Sequence, residues 1–376
     1  MDPNHLQLDV ARLDPAPIDP ELERIVRRAA PSATLLRAVA IGSDDAAGAH
    51  QVTAKAVGYG IPIRIDVDDQ GILRSFVLHG AGANRFGHDR RADRAAELLL
   101  AADTYGAIPA HARALDVGAF RRDGTSISLM DSGEFYLLTE YVSGTPYAQD
   151  LRRIAQTRHL AASDVERVDK MVDYLVQLHA PAPSREDAYE RSLRDLVGGG
   201  EGIFGLVDGY PREDAALAVR LEGIEQGCLR WRWRLKQRPP RPSRIHGDFH
   251  PFNVLFDDDA SLHVLDTSRG SLGDAADDVS CMAVNFVFFA LQDTSAWRSA
   301  FRTLWHKIWD DYLERSRDAE LLTVVPPFLA WRLLVLACPV WYPELTDSAR
   351  GRLLQLAELA LEAERFAPTL ADAVFQ

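Results

Sequence analysis

The sequence predicts an α+β protein in two parts, a small lobe that mixes strands with a helix and a larger lobe that is mostly helical. Strand-like segments concentrate in about the first 142 residues, and apolar residues at helical spacing dominate the remainder of the chain. The 376 residues, 47% of them hydrophobic, are enough for two cores. We expect an N-terminal extension over 1–50, a first lobe over 51–142 and a second lobe over 143–376.

The first lobe is predicted to follow a β-β-α-β-β order, after one helix at "PELERIVRRAA" in the expected extension. The first two strands flank a "DDQG" turn and form a hairpin, and the helix ends at a glycine. The segments of these five elements are, in order, "IPIRIDVDD", "ILRSFVLHG", "DRRADRAAELLLAADTYG", "ISLM" and "EFYLLTEYV".

The second lobe begins after "SGTPY", where apolar residues recur at helical spacing. Helices are predicted at "ASDVERVDKMVDYLVQLHA", "GCLRWRWRLKQ", "DDVSCMAVNFVFFALQD", "WRSAFRTLWHKIWDDYLERS", "FLAWRLLVLACPVWY" and "ARGRLLQLAELALEAERF". We expect most tryptophans of this lobe to lie in its core. A short link between a mixed lobe and a helical lobe makes a cleft, which is a usual site for a small ligand.

Charge and cysteine content exclude several classes of protein. The net charge is −13 and the pI is about 5.3, so we expect neither nucleic acid nor a membrane as partner, because phosphate contacts need clustered cations. Three cysteines far apart predict no disulfide framework and fit a reducing cytoplasm. The N-terminus has no signal-peptide core, and the longest apolar run, "CMAVNFVFFAL", is too short to span a bilayer. The oligomeric state stays open.

The segment "RIHGDFHPFNVLF" combines polar side chains with a strand-like end. Two short apolar runs, "VLF" and "LHVL", flank "DDDAS" and predict a hairpin. If the turn is centred between Asp259 and Ala260, Asn253 and Asp266 face each other, at roughly 4.5–5.5 Å. Asp248, on the preceding loop, can fold onto the same end of the hairpin.

Oxygen ligands of this kind suit Mg²⁺, which usually takes one or two carboxylates together with substrate phosphates. The remaining carboxylate is then free to orient a hydroxyl or to accept its proton, as phosphoryl transfer requires. Protein kinases carry the related pattern H-R-D-x-x-x-x-N followed by an aspartate. Here the pattern is His246-Gly247-Asp248, then Asn253, then Asp266.

The segment "HGDFHPFNVLF…HVLDTSRGSLGDAADDVS" resembles the aminoglycoside phosphotransferase and choline kinase-like family, whose hallmark is HGDxHxxNV, an aspartate that ends a strand, and GDxxxDxA. The resemblance is specific over residues 245–280. It implies a bilobal protein-kinase-like fold, with a small lobe built from an antiparallel sheet plus a helix. It also implies ATP or GTP as phosphate donor, Mg²⁺ as cofactor and a hydroxyl group of a small molecule as acceptor.

The resemblance also implies roles for single residues. Asp248 is similar to the catalytic base, and Asn253 and Asp266 to the Mg²⁺ ligands. His246 resembles the residue that packs against the catalytic loop and hydrogen-bonds it. His250 either faces the substrate or caps the loop, and both interpretations stay open.

Two aspartates belong to the GDxxxDxA tail. Asp278 is similar to the buried aspartate that braces the catalytic loop, and Asp274 opens the tail. The segment "LLTEYVSG" resembles the link between the lobes, where the backbone of Glu140, Tyr141 and Val142 would meet the adenine.

The nucleotide-binding residues of the first lobe depart from the family pattern. Gly58 and Gly60 are candidates for a phosphate-covering loop. His79 stands where the family's phosphate-pairing lysine is expected, and Glu97 is the natural carboxylate partner on the helix. Arg85, in "NRFGHDRR", could supply the missing positive charge.

We therefore predict a small-molecule kinase with an unidentified acceptor. Because His79 replaces a lysine, a nucleotide-binding pseudokinase with a regulatory role is the alternative. A metal-dependent hydrolase that uses His246, Asp248 and His250 is a third hypothesis.

Overall fold

The structure is a computed structural model, and it describes residues 19–41, 62–180, 186–267, 270 and 272–376. The chain divides into two compact units, Met1–Thr139 and Glu140–Gln376. Strands with two helices make up the described part of the first unit, and helices dominate the second. The predicted α+β class, with a small antiparallel sheet followed by a mostly helical region, is confirmed.

The first unit contains α1, Pro20–Ala29, and a three-stranded antiparallel sheet of β1, Ala33–Ala40, β2, Ile63–Asp69, and β3, Ile72–Leu78. The predicted hairpin is β2–β3 and is confirmed. Its turn, Gln70-Gly71, has positive φ at both positions, which matches the twist of a two-residue hairpin.

The sheet and α1 share a small core. Apolar residues alternate along β2 and bury one face of the strand. The residues of this core are Leu22, Val26, Ala30, Ala33, Leu35, Ile63, Ile65 and Val67. On the exposed side of β2, Asp66 accepts hydrogen bonds from Arg37 at 2.7 Å and Arg64 at 2.8 Å.

The region expected to be an extension, 1–50, does not stand apart from the first lobe. Both α1 and β1 lie within it, and β1 pairs with β2 from Ala33↔Asp69 to Ala40↔Ile63. The apolar residues of "ATLLRAVA" bury against the sheet, with a change of register between Leu35 and Arg37. The alanine-rich sequence hid this strand, because alanine is uncommon in strands.

The rest of the first unit holds α2, Arg91–Thr104, and a hairpin of β4, Gly118–Phe120, with β5, Ser126–Ser128. The predicted helix is confirmed, and β5 overlaps the predicted strand "ISLM". The strand predicted over 134–142 is wrong, because β5 pairs with β4 on its N-terminal side instead. Large apolar side chains of that segment are exposed, with Tyr136 at 93%.

The second unit is built on helices, and all those predicted for it are confirmed. The longer ones are α3, Tyr147–Thr157; α4, Ala162–Leu178; α5, Glu186–Gly198; α7, Ala215–Lys236; α8, Ala275–Ala290; α9, Arg302–Ser316; α11, Pro326–Ala337; and α12, Asp347–Glu362. Short helices are α6, Ile203–Val207, and α10, Leu321–Val324. Every residue of α8 is buried. No helix in the described ranges is long and apolar enough to cross a membrane.

Tryptophans fill much of this core, as expected. Buried indoles are Trp231, Trp297, Trp305, Trp309 and Trp331, whereas Trp341 is 62% exposed. Short strands complete the unit. They are β6, Thr145–Pro146; β7, Ser243–Arg244; β8, Val254–Phe256; β9, Leu262–Val264; and β10, Leu272–Gly273. β7 pairs with β10, and β6, β8 and β9 form one sheet.

The predicted β8–β9 hairpin exists, but its register differs by one residue from the prediction. Val254 pairs with Val264, so Leu265 and not Asp266 comes opposite Asn253, and the Leu265 N–H donates to the Asn253 carbonyl at 2.9 Å. The cause is a three-residue turn in which Ala260 adopts a left-handed φ of 56°. A hairpin of this loop length commonly places its third residue there.

Candidate active site

The loop between β7 and β8 carries the predicted catalytic residues. Its backbone is compact, because the His250 N–H donates to the Asp248 carbonyl and the Asn253 N–H to the His250 carbonyl, both at 2.9 Å. Gly247 turns the chain with a φ of 83°, a region that glycine enters without steric cost. The Pro251 carbonyl accepts the N–H of Ala148, which ties the loop to α3.

Asp278, in the first turn of α8, braces this loop. Its carboxylate accepts the N–H of His246 at 2.7 Å and that of Gly247 at 2.8 Å. His179 Nε2 lies 3.1 Å from it, and His179 Nδ1 lies 2.7 Å from the Tyr312 hydroxyl. Burial raises the pKa of Asp278, but the contact with His179 and the two N–H groups outweigh burial and lower it.

The Asp248 carboxylate is held on one oxygen and open on the other. Oδ1 accepts from Arg332 Nη1 at 2.9 Å, whereas Oδ2 lies 3.4 Å from both His250 Nε2 and Asn253 Nδ2. The side chain is 29% exposed. Burial raises the pKa of Asp248, but the hydrogen bond from His250 and the charge of Arg332 lower it well below its usual range. Asp248 is therefore a carboxylate at neutral pH.

His246 and His250 both use Nδ1 to accept a backbone N–H. Asp248 N–H donates to His246 at 3.3 Å, and Phe252 N–H donates to His250 at 3.1 Å. A neutral imidazole then carries its proton on Nε2. In His250 this proton faces Asp248, so His250 supports the carboxylate, as the loop-capping interpretation expects.

The structure brings Asn253 to Asp248 and places Asp266 beyond the end of β9. Asn253 Nδ2 donates to the Asp248 carbonyl at 3.1 Å, which leaves the amide oxygen as the group that can bind a cation. Asp266 is exposed and has a φ of 52°, an uncommon backbone conformation for a residue other than glycine. Such conformations cluster at functional sites.

Sequence reasoning missed Arg332, which contacts Asp248 from α11. The guanidinium also donates to the Gly247 carbonyl at 2.8 Å and to Asp277 at 2.7 Å. The signal in the sequence was a single charged residue in an otherwise apolar helix, "PPFLAWRLLVLA". A buried charge of this kind needs a partner, and the partner lay 84 residues away.

Asp274 caps α8 and serves the scaffold. It accepts the Ala276 N–H at 3.0 Å and the Tyr189 hydroxyl at 2.9 Å. Arg241 bridges it to Asp318. The role predicted for Asp274 as the opening of the tail is consistent with this position at the start of the helix.

In the first unit, His79 and Glu97 line one cavity of about 150 Å³. The other residues lining it are Pro62, Gly80, Ala81, Leu98, Ala101 and Tyr105. Glu97 Oε2 lies 3.2 Å from His88 Nε2, and His88 Nδ1 lies 3.1 Å from Asn84 Oδ1. The carboxylate predicted to pair with a cation therefore faces a histidine.

Residues 76–319 match a family described as "APH: Phosphotransferase enzyme family", which is about two thirds of the chain. The chain belongs to this phosphotransferase family. The match includes both His79 and the whole segment from Asp248 to Asp278. A comparison with curated proteins gave no match.

Solved structures with a similar fold are small-molecule kinases. A glucosamine kinase in complex with glucosamine, ADP and inorganic phosphate is 16% identical, with 57% of this chain and 55% of that chain covered and a TM-score of 0.40. The match thus spans about half the length of that kinase. The choline kinase LicA from Streptococcus pneumoniae is 12% identical, with 90% and 98% covered and a TM-score of 0.34. The aminoglycoside phosphotransferase APH(3'')-Id from Streptomyces rimosus is 15% identical, with 80% and 88% covered and a TM-score of 0.31.

Several residues predicted from the phosphotransferase family pattern are not part of these contacts. Gly58 and Gly60 lie outside the described residues. Arg85 is exposed, and the backbone from Glu140 to Val142 lies outside any helix or strand, with Tyr141 92% exposed.

We predict that Asp278→Asn lowers the free energy of unfolding by about 2–3 kcal/mol at pH 7, because a buried carboxylate that accepts two N–H groups is lost. The pKa of Asp278 is lowered by folding, so its contribution is present above the ordinary carboxyl pKa and is lost as the pH falls through the folded value. The difference between the two proteins should therefore shrink below about pH 4. Urea unfolding followed by tryptophan fluorescence measures both.

The control is Asp259→Asn, which removes the same charge from the exposed β8–β9 turn and should change stability by less than about 0.5 kcal/mol. Equal stability of Asp278→Asn and the wild type at pH 7 would contradict the bracing role.

Proposed function

We propose that this phosphotransferase moves the γ-phosphoryl group of ATP, or of GTP, to a hydroxyl group of a small molecule, with Mg²⁺ as cofactor. The observation that supports this most directly is the Asp248 carboxylate. It is ionised, partly exposed, fixed on one oxygen by Arg332, and open on the other oxygen beside Asn253. That is the arrangement that an acceptor hydroxyl needs.

In the proposed reaction, the bond between the γ-phosphorus and its bridging oxygen to the β-phosphate breaks. A new bond forms from the acceptor oxygen to the phosphorus, and the hydroxyl proton passes to Asp248 and then to water. With its pKa well below the usual range, Asp248 is a weak base. Its main contribution would be to orient the hydroxyl for in-line attack, with the proton leaving as the new bond forms.

Asn253 and Asp266 would hold Mg²⁺. Hard oxygen donors suit this ion, and it needs few protein ligands when nucleotide phosphates supply the others. The amide nitrogen of Asn253 is turned toward Asp248, so its oxygen fits the role, and Asp266 offers an exposed carboxylate. When bound, the ion would neutralise charge that develops on the transferred phosphate.

The first unit would contribute His79, Glu97, Arg85, Gly58 and Gly60 to nucleotide binding. Support comes from His79 and Glu97, which share a cavity although 18 positions separate them in the chain. A protonated His79 could supply the positive charge that a lysine gives to the α- and β-phosphates. The backbone from Glu140 to Val142 would meet the adenine.

A second candidate function, a nucleotide-binding pseudokinase, is favoured by His79 and by the contact of Glu97 with His88. The metal-dependent hydrolase loses support. Both His246 and His250 use Nδ1 for a backbone N–H, and the described residues contain no group of three metal-binding side chains.

We predict that ATP with Mg²⁺ raises the melting temperature and that ATP without Mg²⁺ does so much less. Asp266→Ala should abolish the Mg²⁺-dependent part, because a ligand stabilises only the state it binds. A thermal shift series with ATP, GTP and no nucleotide, each with and without Mg²⁺, measures this. An Mg²⁺-dependent shift that is unchanged in Asp266→Ala would refute the ligand role, and Asp259→Asn serves as the matched loss of an exposed carboxylate.

We expect Asp248→Asn to lower turnover about 10²–10⁴-fold, the range typical of a positioned acid–base group, while the Kd for Mg²⁺-ATP stays within about threefold. The assay follows ADP release across a panel of amino sugars, choline-like amines and sugars, and with water as acceptor. Equal turnover in Asp248→Asn and wild type would be incompatible with the assigned role. Nucleotide binding without ADP release from wild type would favour the pseudokinase.

For His79, we predict that His79→Lys tightens nucleotide binding about tenfold at pH 8, because a permanent charge replaces a titrating one. His159→Lys, at an exposed position of the second unit, makes the same substitution as a control and should leave affinity unchanged. Isothermal titration with Mg²⁺-ATP compares the two. A weaker Kd for His79→Lys would argue that His79 does not occupy the lysine's place.

A further inference from the structure

Arg332 is a buried cation with an unusual position. It is the one charged residue in the sequence of α11, and it is only 5% exposed. Nη1 donates to Asp248, Nη2 donates to the Gly247 carbonyl and to Asp277, and Nε donates to Asp277 at 3.2 Å. All three guanidinium nitrogens are thus directed to the catalytic loop or to α8.

Asp277 anchors the guanidinium. It lies in the first turn of α8, is 6% exposed, and receives both Nε and Nη2 on the same oxygen. The planar fork of an arginine cannot turn without breaking these bonds. The orientation of Nη1 toward Asp248 is therefore set by Asp277, on an element that is buried along its whole length.

A purely structural ion pair would be complete with Asp277 alone. Instead, one cation is shared by two carboxylates, and the second of them, Asp248, is 29% exposed and could be solvated by water. The other contacts of Asp248, with His250 and Asn253, are both 3.4 Å long and are weak restraints. Arg332 provides the short contact that fixes the orientation of this carboxylate.

We propose that Arg332 is a positioning residue, which holds Oδ1 of Asp248 so that Oδ2 faces the acceptor hydroxyl, with Asp277 as the anchor. This inference rests on the proposed function of Asp248. Arg332 touches neither the acceptor nor the nucleotide in this assignment. Its loss affects the catalytic step and leaves nucleotide affinity unchanged.

The test is the double variant Arg332→Met with Asp277→Leu. Replacing a buried ion pair by apolar residues of similar volume often preserves stability, so folding and positioning can be separated. We expect kcat for ADP release to fall about 10–100-fold. The KM for Mg²⁺-ATP should stay within threefold and the melting temperature within about 3 °C of wild type. A kcat within threefold of wild type would overturn the inference.

Two further variants complete the design. Arg220→Met with Glu358→Leu removes another arginine–carboxylate pair, between α7 and α12, and should leave kcat unchanged. Arg332→Lys keeps the charge and loses the fork, and it decides the outcome if the double variant does not fold. A loss of kcat of at least fivefold with an unchanged KM supports positioning, and a loss of less than fivefold, or an equal rise in KM, overturns it.

Asp248→Asn is measured in the same assay to separate the two hypotheses. If it is as active as wild type, the proposed role of Asp248 fails, and the inference on Arg332 fails with it. If Asp248→Asn is inactive and the Arg332 double variant is fully active, only the inference on Arg332 fails. Wild type that releases no ADP with any acceptor, water included, would overturn both.

Discussion

The loop that carries Asp248 keeps its shape because one carboxylate, Asp278, accepts two successive backbone N–H groups where water does not reach. The hydrogen bonds to His246 and Gly247 fix the point at which the chain turns, and Gly247 allows that turn with its left-handed φ. An unsatisfied N–H in this place would cost about 1–3 kcal/mol. The positions of Asp248 and Asn253 therefore depend on a residue that lies 30 positions after Asp248 in the chain.

The same turn of α8 holds two more carboxylates, and each has a base of its own. Asp274 is paired with Arg241, Asp277 with Arg332, and Asp278 with His179. Three acidic residues near one helix N-terminus also suit the helix dipole. The dense acidic segment "GDAADD" is thus a scaffold for the site, because its side chains are committed to neighbouring helices and to the loop.

Much of this was readable from sequence, because helix periodicity and the spacing of the HGDxHxxNV segment are local signals. The parts that failed depend on distant partners or on a single dihedral angle. The strand expected over 134–142 had the right residue types but no strand to pair with among the described residues. The one-residue error at Asn253 came from the left-handed φ of Ala260, which no apolar pattern encodes. Arg332 was invisible because its partners come together only in the folded chain.

The depth at which Asp278 lies also has a consequence for behaviour in salt. Mobile ions screen exposed charges within about 10 Å at 0.1 M, but they do not enter a packed interior. The Asp278 brace should keep its strength in concentrated electrolyte. The pairs of Asp66 with Arg37 and Arg64, on the open face of the small sheet, should weaken there. Halide or sulfate titrations would then loosen the first unit while the Asp248 loop stays intact.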